Sequence, residues 1–344
     1  MKRTLISASI LMAFISPYSF AASEHGFNAD SIELGEEPSG FGGHIGSSFE
    51  YEDKETQSYN GNLIKEKIKT HEIFQVYYNN PQWDYRLLYG LKLYNRDQSE
   101  PGYHESEDGL KHFFSIDKGL LSANGWDTGI VYEVEYSATK IDSPYVDNLH
   151  HTTIDNSIRP YLTYWNNEYN LGFYSNLEYL YTNEDRSEWG SRTEEGYSIL
   201  FKPYKRIGNW ELGVEFFYQM KDNKDLTVNG IVNENSDFTE SYYEPIIQYS
   251  FEDAGTLYLR TRFGHNKTVN SGQATGGNAN VTYFKSIRKA TVGYEQSVGD
   301  NWLLKGEYKY ANEVENKNKY NSRDVNDENE LKQHQIYAHA LYRF

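Results

Sequence analysis

The chain has no cysteine among its 344 residues, so neither disulfides nor thiolate metal sites can contribute stability or chemistry. It is short of positive charge, with 33 Lys and Arg against 50 Asp and Glu and a formal charge of −17. That balance argues against nucleic acid as a partner, because phosphate binding needs a basic stripe. Beyond the first stretch, no run approaches the about 18 apolar residues that identify a membrane helix. This does not make the chain soluble, since barrel strands conceal an apolar face by alternation. No HExxH, GxSxG or Walker pattern occurs, so the familiar hydrolytic and nucleotide chemistries lack their motifs. Length alone allows two or three domains, or one large all-β domain.

Residues 1–21 read as a secretory signal peptide. Lys2 and Arg3 form a positive start, Thr4 to Phe20 is mostly apolar, and "SFA" ends in small residues suited to cleavage before Ala22. Losing two positive charges makes the mature chain more acidic still. Residues 22–41 precede the first strand pattern and show no alternation of their own. Fully extended, they would reach roughly 60 Å, more than the about 25 Å apolar band of a barrel. They are therefore a candidate plug for a lumen entered from the periplasmic side. A disordered tail is the plainer alternative.

From residue 42 to 344 the sequence alternates apolar and polar residues with period two. "WDYRLLYGLKLYNR" sets Tyr85, Leu87, Tyr89, Leu91 and Leu93 against Arg86, Gly90, Lys92 and Tyr94. "WDTGIVYEVEYSA" sets Ile130, Tyr132, Val134 and Tyr136 against Gly129, Glu133 and Glu135. "WELGVEFFYQM" sets Leu212, Val214, Phe216 and Tyr218 against Glu211, Gly213, Glu215 and Phe217. Such repeats predict strands of near ten residues with one greasy and one wet face. Short connectors, near 79–82, 119–125, 166–167, 205–209, 252–255 and 299–301, alternate with long polar ones near 54–66, 97–108, 140–152, 182–193, 221–238, 265–281 and 312–329. Together they predict about fourteen strands in an all-β, antiparallel transmembrane barrel of outer-membrane type, with short periplasmic turns and long outer loops. A soluble sandwich would have shorter strands, and a propeller would show an internal repeat.

Tryptophan placement supports the same architecture. Trp83, Trp126, Trp210 and Trp302 follow short connectors and Trp165 precedes one, which predicts a headgroup girdle at one end; Trp189 falls in a long connector. The final stretch "QHQIYAHALYRF" alternates up to Phe344. In a closed barrel it would pair with the first strand, leaving no edge.

The inward positions mix both signs of charge with aromatic rings. Arg86, Lys92, Arg159, Arg260 and Arg262 are basic candidates for the pore lining, and Glu133, Glu135, Glu178 and Glu215 acidic ones. Tyr161, Tyr174, Phe217 and Tyr242 are aromatic candidates for solute contact. Charges this dense need water or partners, because unpaired burial costs several kcal/mol or more per ion. Cross-strand pairing that stiffens the wall is the plainer role, and ion or solute preference the sharper one. Fourteen strands fall on the water-filled side of the range between small packed barrels and porins.

The leader, the strand count, the short–long meander and the terminal "YRF" resemble the monomeric OmpG-type porins. The pre-strand segment and overall length are more similar to the CymA-type cyclodextrin channels. The resemblance implies passive diffusion of cyclic or linear malto-oligosaccharides through a monomer in the outer membrane of a Gram-negative bacterium. It implies no cofactor and no metal. It also implies that residues 22–41 form a displaceable plug, with Phe27, Ile32 and Leu34 as wall contacts beside Asp30 and Glu36. The terminal aromatic signature implies recognition by the barrel-assembly machinery, and outer-membrane lipid is the surrounding partner.

Other patterns weigh less. "GFGGHIG" resembles a degraded dinucleotide fingerprint but opens a strand rather than a helix. "DVNDENE" is acidic but lacks the spacing of a calcium loop. A general non-specific porin, an outer-membrane hydrolase and a plugged receptor remain the alternatives. The hydrolase would need a serine or aspartate near a histidine at one level, which His112 and His334 do not visibly provide.

Overall fold

The computed structural model describes residues 40–57, 63–80, 83–144, 149–186, 190–226, 232–251, 255–270, 281–299, 301–319 and 327–343. The leader at 1–21, the plug candidates Phe27, Asp30, Ile32, Leu34 and Glu36, Trp189 and the terminal Phe344 lie outside the described residues.

Fourteen strands follow in chain order: β1 (Gly40–Gln57), β2 (Leu63–Asn80), β3 (Tyr85–Glu100), β4 (Tyr103–Ala123), β5 (Trp126–Asp142), β6 (Leu149–Asn166), β7 (Leu171–Asp185), β8 (Ser191–Ile207), β9 (Trp210–Leu226), β10 (Val232–Phe251), β11 (Gly255–Asn270), β12 (Val281–Val298), β13 (Trp302–Lys319) and β14 (Asp327–Arg343). Each pairs antiparallel with its sequence neighbours, and β1 pairs with β14, closing the sheet into a barrel. The seam runs in continuous register from His44 opposite Arg343 to Gln57 opposite Glu330, so the wall has no free edge. The first strand starts at Gly40, two residues ahead of the sequence-based boundary.

Alternation fixes which face is which. Leu257, Leu259 and Phe263 on β11, Val292 and Tyr294 on β12, and Leu212, Phe216 and Tyr218 on β9 are exposed on the outer face. The intervening positions are buried or half-buried on the inner face, among them Glu215, Tyr242, Glu244 and Tyr258. A protein in water would not leave so continuous an apolar belt uncovered. In lipid it is the required arrangement.

The lower rim is aromatic. Trp126 packs on Tyr164 with ring centroids 4.5 Å apart, Trp210 on Tyr249 at 4.7 Å, and Trp302 on Tyr342 at 5.3 Å. Trp165 is a correction to the girdle expected from sequence. It lies on the odd-numbered inner face of β6 with Arg159 and Tyr161, and its ring stacks on Tyr204 of β8 at 5.6 Å. Parity decides this: Tyr164 holds the lipid face, so its neighbour must turn inward. On the same rim, Asn124 and Gly125 both have positive φ, the pair of angles that a two-residue turn between twisted strands requires.

The strands are longer, and the upper connectors shorter, than the hydrophobic pattern suggests. Strand lengths run from 15 to 21 residues. The long connector expected at 97–108 is instead strand on both sides of a Pro101–Gly102 turn, where Gly102 has φ 84°. A 17-residue strand tilted about 40° rises roughly 43 Å, against an apolar band of about 25 Å. The barrel wall therefore continues well above the lipid on the side opposite the tryptophans. Strand spacing and tilt give a backbone diameter of roughly 28 Å for fourteen strands.

Candidate functional site

Among the described residues the candidate polar and aromatic side chains converge on the inner wall, and its contacts fall into connected groups. On β5 to β8, Arg159 Nη2 lies 2.9 Å from Glu133 Oε1 and its Nη1 3.7 Å from Glu178 Oε1. Ser198 donates to Glu178 Oε2 at 3.0 Å, extending the group onto β8. Glu135 lies 3.4 Å from Lys111 Nζ of β4. Next to these charges, Val131, Tyr161, Tyr174 and Leu200 form an apolar cluster with Phe217 packed against it. Asn176 donates to the Tyr174 hydroxyl at 2.9 Å.

A second group occupies β9 to β11. The Phe217 and Tyr242 rings stack at 4.8 Å with planes 21° apart. The Arg262 guanidinium covers the Tyr242 ring at 3.8 Å, and its Nε donates to Glu244 Oε2 at 2.8 Å. The Tyr242 hydroxyl donates to Glu215 Oε1 at 2.8 Å. Glu215 and Glu244 face one another directly across the β9–β10 pair, and Arg262, with Arg260 and Lys202 nearby, makes two adjacent carboxylates tolerable. Arg260, two residues away, lies 5.0 Å from the Tyr258 ring centre.

Thus Arg159, Glu133 and Glu178 meet, Tyr161, Tyr174 and Phe217 meet, and Glu215, Tyr242 and Arg262 meet. Arg86 and Lys92 share the inner face of β3 with Leu88; Arg86 sits opposite Asp117 and Lys92 opposite Lys111. Toward the upper end, Arg96 Nη1 reaches Glu105 at 3.4 Å and Glu107 at 3.6 Å, while His151 Nε2 lies 2.7 Å from Glu184. With His151 Nδ1 also 3.6 Å from Glu107, these contacts tie β3, β4, β6 and β7 together above the apolar belt.

Sequence reasoning missed an aromatic platform at the lower mouth. Trp165 and Tyr204 lie nearly parallel, 13° apart, with the Arg206 guanidinium 4.9 Å from the Trp165 ring centre and bonded to Glu211 at 2.8 Å. Both rings cross Gly172 of β7, where a Cβ would meet Trp165 Cε3 at 2.7 Å and Tyr204 Cζ at 3.1 Å. Counting parity on from Tyr161 would have found Trp165. Its residue type alone pointed to the lipid girdle instead.

Among the described residues no group of three or more His, Asp and Glu is arranged to hold a metal ion. The wall therefore offers ring planes, fixed ion pairs and hydroxyls.

A model of the CymA family, described as "Putative cyclodextrin porin", matches residues 1–344. No curated protein sequence matches the chain. Among solved structures, the P. putida toluene transporter TodX is similar at 9% identity, over 89% of this chain and 90% of TodX, with a TM-score of 0.50. An outer membrane channel from Pseudomonas putida F1 is similar at 10% identity, over 90% of this chain and 97% of that one, with a TM-score of 0.46. CdiB from Acinetobacter baumannii is similar at 7% identity over 85% of this chain, which spans 60% of CdiB, with a TM-score of 0.42. The likeness to TodX is one of barrel fold.

Proposed function

This chain belongs to the CymA family of cyclodextrin porins, and from that premise we propose that it is a passive outer-membrane channel for cyclic or linear malto-oligosaccharides. The observation that supports this most is the inner wall. Rings and paired charges adjoin on it in two groups, which suits a solute with apolar ring faces and a hydroxyl rim. In this reading the half-buried Phe217 ring takes a sugar face, Tyr161, Tyr174 and Tyr242 back it from within the wall, and the Arg159 and Arg262 groups set the wall charge. Diffusion down a gradient involves no covalent step and no cofactor, so selectivity comes from width and wall charge. The channel works as a monomer of the OmpG kind in the outer membrane of a Gram-negative bacterium.

Planar-bilayer recording tests this. Cyclodextrins or maltohexaose added to one side should produce discrete current blocks, with the sugar recovered chemically unchanged. Steady current with every sugar would leave a general porin. Newly released reducing ends would make the protein a hydrolase.

The segment before β1 acts in this reading as a displaceable plug, through Phe27, Asp30, Ile32, Leu34 and Glu36. Removing residues 22–39 stops short of β1 and should raise single-channel conductance and shorten closures. Traces that match the full-length mature protein would reduce the segment to a bystander.

A further inference from the structure

Tyr258 lies across three strands. It rises from β11, its register partner on β12 is Gly293, and the register partner of Gly293 on β13 is Glu307. The phenol passes over the glycine and its hydroxyl donates to Glu307 Oε1. The residue is only 6% exposed, so the ring lies along the wall instead of standing in the bore. Gly293 is not among the positive-φ residues, so the backbone there does not demand glycine. The ring does. A Cβ on Gly293 would sit 2.6 Å from Tyr258 Cε2 and closer still to Cζ and Oη, and these three are its nearest atoms. Gly129 also lies under a ring, with a Cβ 2.5 Å from Tyr161 Cζ, although there the Lys118 backbone oxygen at 2.6 Å crowds the position as well. Gly172 lies under Trp165 and Tyr204, where the Tyr164 backbone oxygen is also 2.6 Å from the Cβ position.

We propose that Gly293 is a width-determining, and hence specificity-determining, residue of the channel. By leaving space for a ring to lie flat, it keeps the bore open to bulky polar solutes that a standing tyrosine would exclude. A methyl group at this position lifts the Tyr258 ring off the wall and into the path. The inference rests on the channel reading given above.

The test uses the full-length mature protein in planar bilayers and in sugar-loaded liposomes. G293A should lower open-channel conductance and slow the permeation of large sugars more than that of small ones. G306A is the control. Gly306 is on the adjacent strand, and a Cβ there meets nothing within 4 Å. The double variant G293A/Y258A should recover at least the original conductance, because the lifted ring is gone. A closed, heat-modifiable G293A barrel with unchanged conductance, or a deficit that persists in the double variant, overturns the proposal. Should G293A fail to assemble, E307A frees the ring's hydroxyl anchor instead. It should add flicker that Y258A abolishes, and quiet E307A traces would overturn the proposal equally. A parent protein that carries no current at all would sink the channel reading itself, which is a separate outcome.

Discussion

Replacing Arg262 with Met lowers the stability of the folded barrel by about 3 kcal/mol, in the range for removing one partner of a buried ion pair. The guanidinium does three things at once. It bonds Glu244 at 2.8 Å, covers the Tyr242 ring at 3.8 Å, and sits beside the phenol that holds Glu215. Glu215 is 2% exposed and Glu244 6%, and the two are register partners. Without Arg262, only the more distant Arg260 and Lys202 offset two shielded carboxylates that face each other across one strand pair, where like charges repel. Combining R262M with E244Q should recover much of the loss, because one of the two stranded charges is then gone. Chemical denaturation from detergent micelles, followed by tryptophan fluorescence, gives the comparison. Lys224→Met is the reference, since Lys224 is exposed near the upper end of β9, beyond the apolar belt. Its expected change is within about 0.5 kcal/mol. An R262M loss no larger than that would mean the network carries no structural load.

Arginine in place of Leu259 costs about 2–4 kcal/mol of barrel stability in a bilayer, the range for a cation facing mid-membrane lipid. Leu259 is exposed on the outer face of β11, opposite Val292, in the middle of the apolar belt. The matched control puts the same side chain on the other face. Gln219 of β9 points inward and its register partner is Glu240, so Gln219→Arg gains a nearby carboxylate and should cost under about 1 kcal/mol. Urea titration of barrels folded into phospholipid vesicles measures both. If the two variants were equally stable, the outer face would not be meeting lipid. Were Q219R the worse one, the assignment of inside and outside would be reversed.

The sequence carried the architecture through its period. Tyr85, Leu87 and Tyr89 against Arg86 and Gly90 mark a two-faced strand wherever the outer face must be apolar. That signal stops at the lipid boundary. Between 97 and 108, residues on both faces are polar because water lies on both sides, yet the backbone keeps its ladder to the Pro101–Gly102 turn. Hydrophobic alternation reports the solvent, and hydrogen bonding does not depend on it. The groups in the lumen were less legible for a different reason. Which residues share a face follows from parity, but which of them touch follows from the offset between strands. Tyr258 reaches Glu307, 49 positions away, only because β11, β12 and β13 align as they do. Nothing in the sequence around Gly293 marks it, because the ring it accommodates comes from a neighbouring strand.

The β1–β14 seam sets the order of construction. Thirteen of the fourteen strand pairs join consecutive stretches of chain, while Phe49 meets Ala338 almost a full chain length away. Local hairpins can zip early, but this last stitch has to wait for the final strand and carries the largest loop-closure entropy. Until it is made, the growing ribbon has two bare margins able to recruit any passing strand. A helper that occupies one margin during insertion would therefore act on the seam, and changes in β14 should slow assembly far more than equal changes in a mid-chain hairpin.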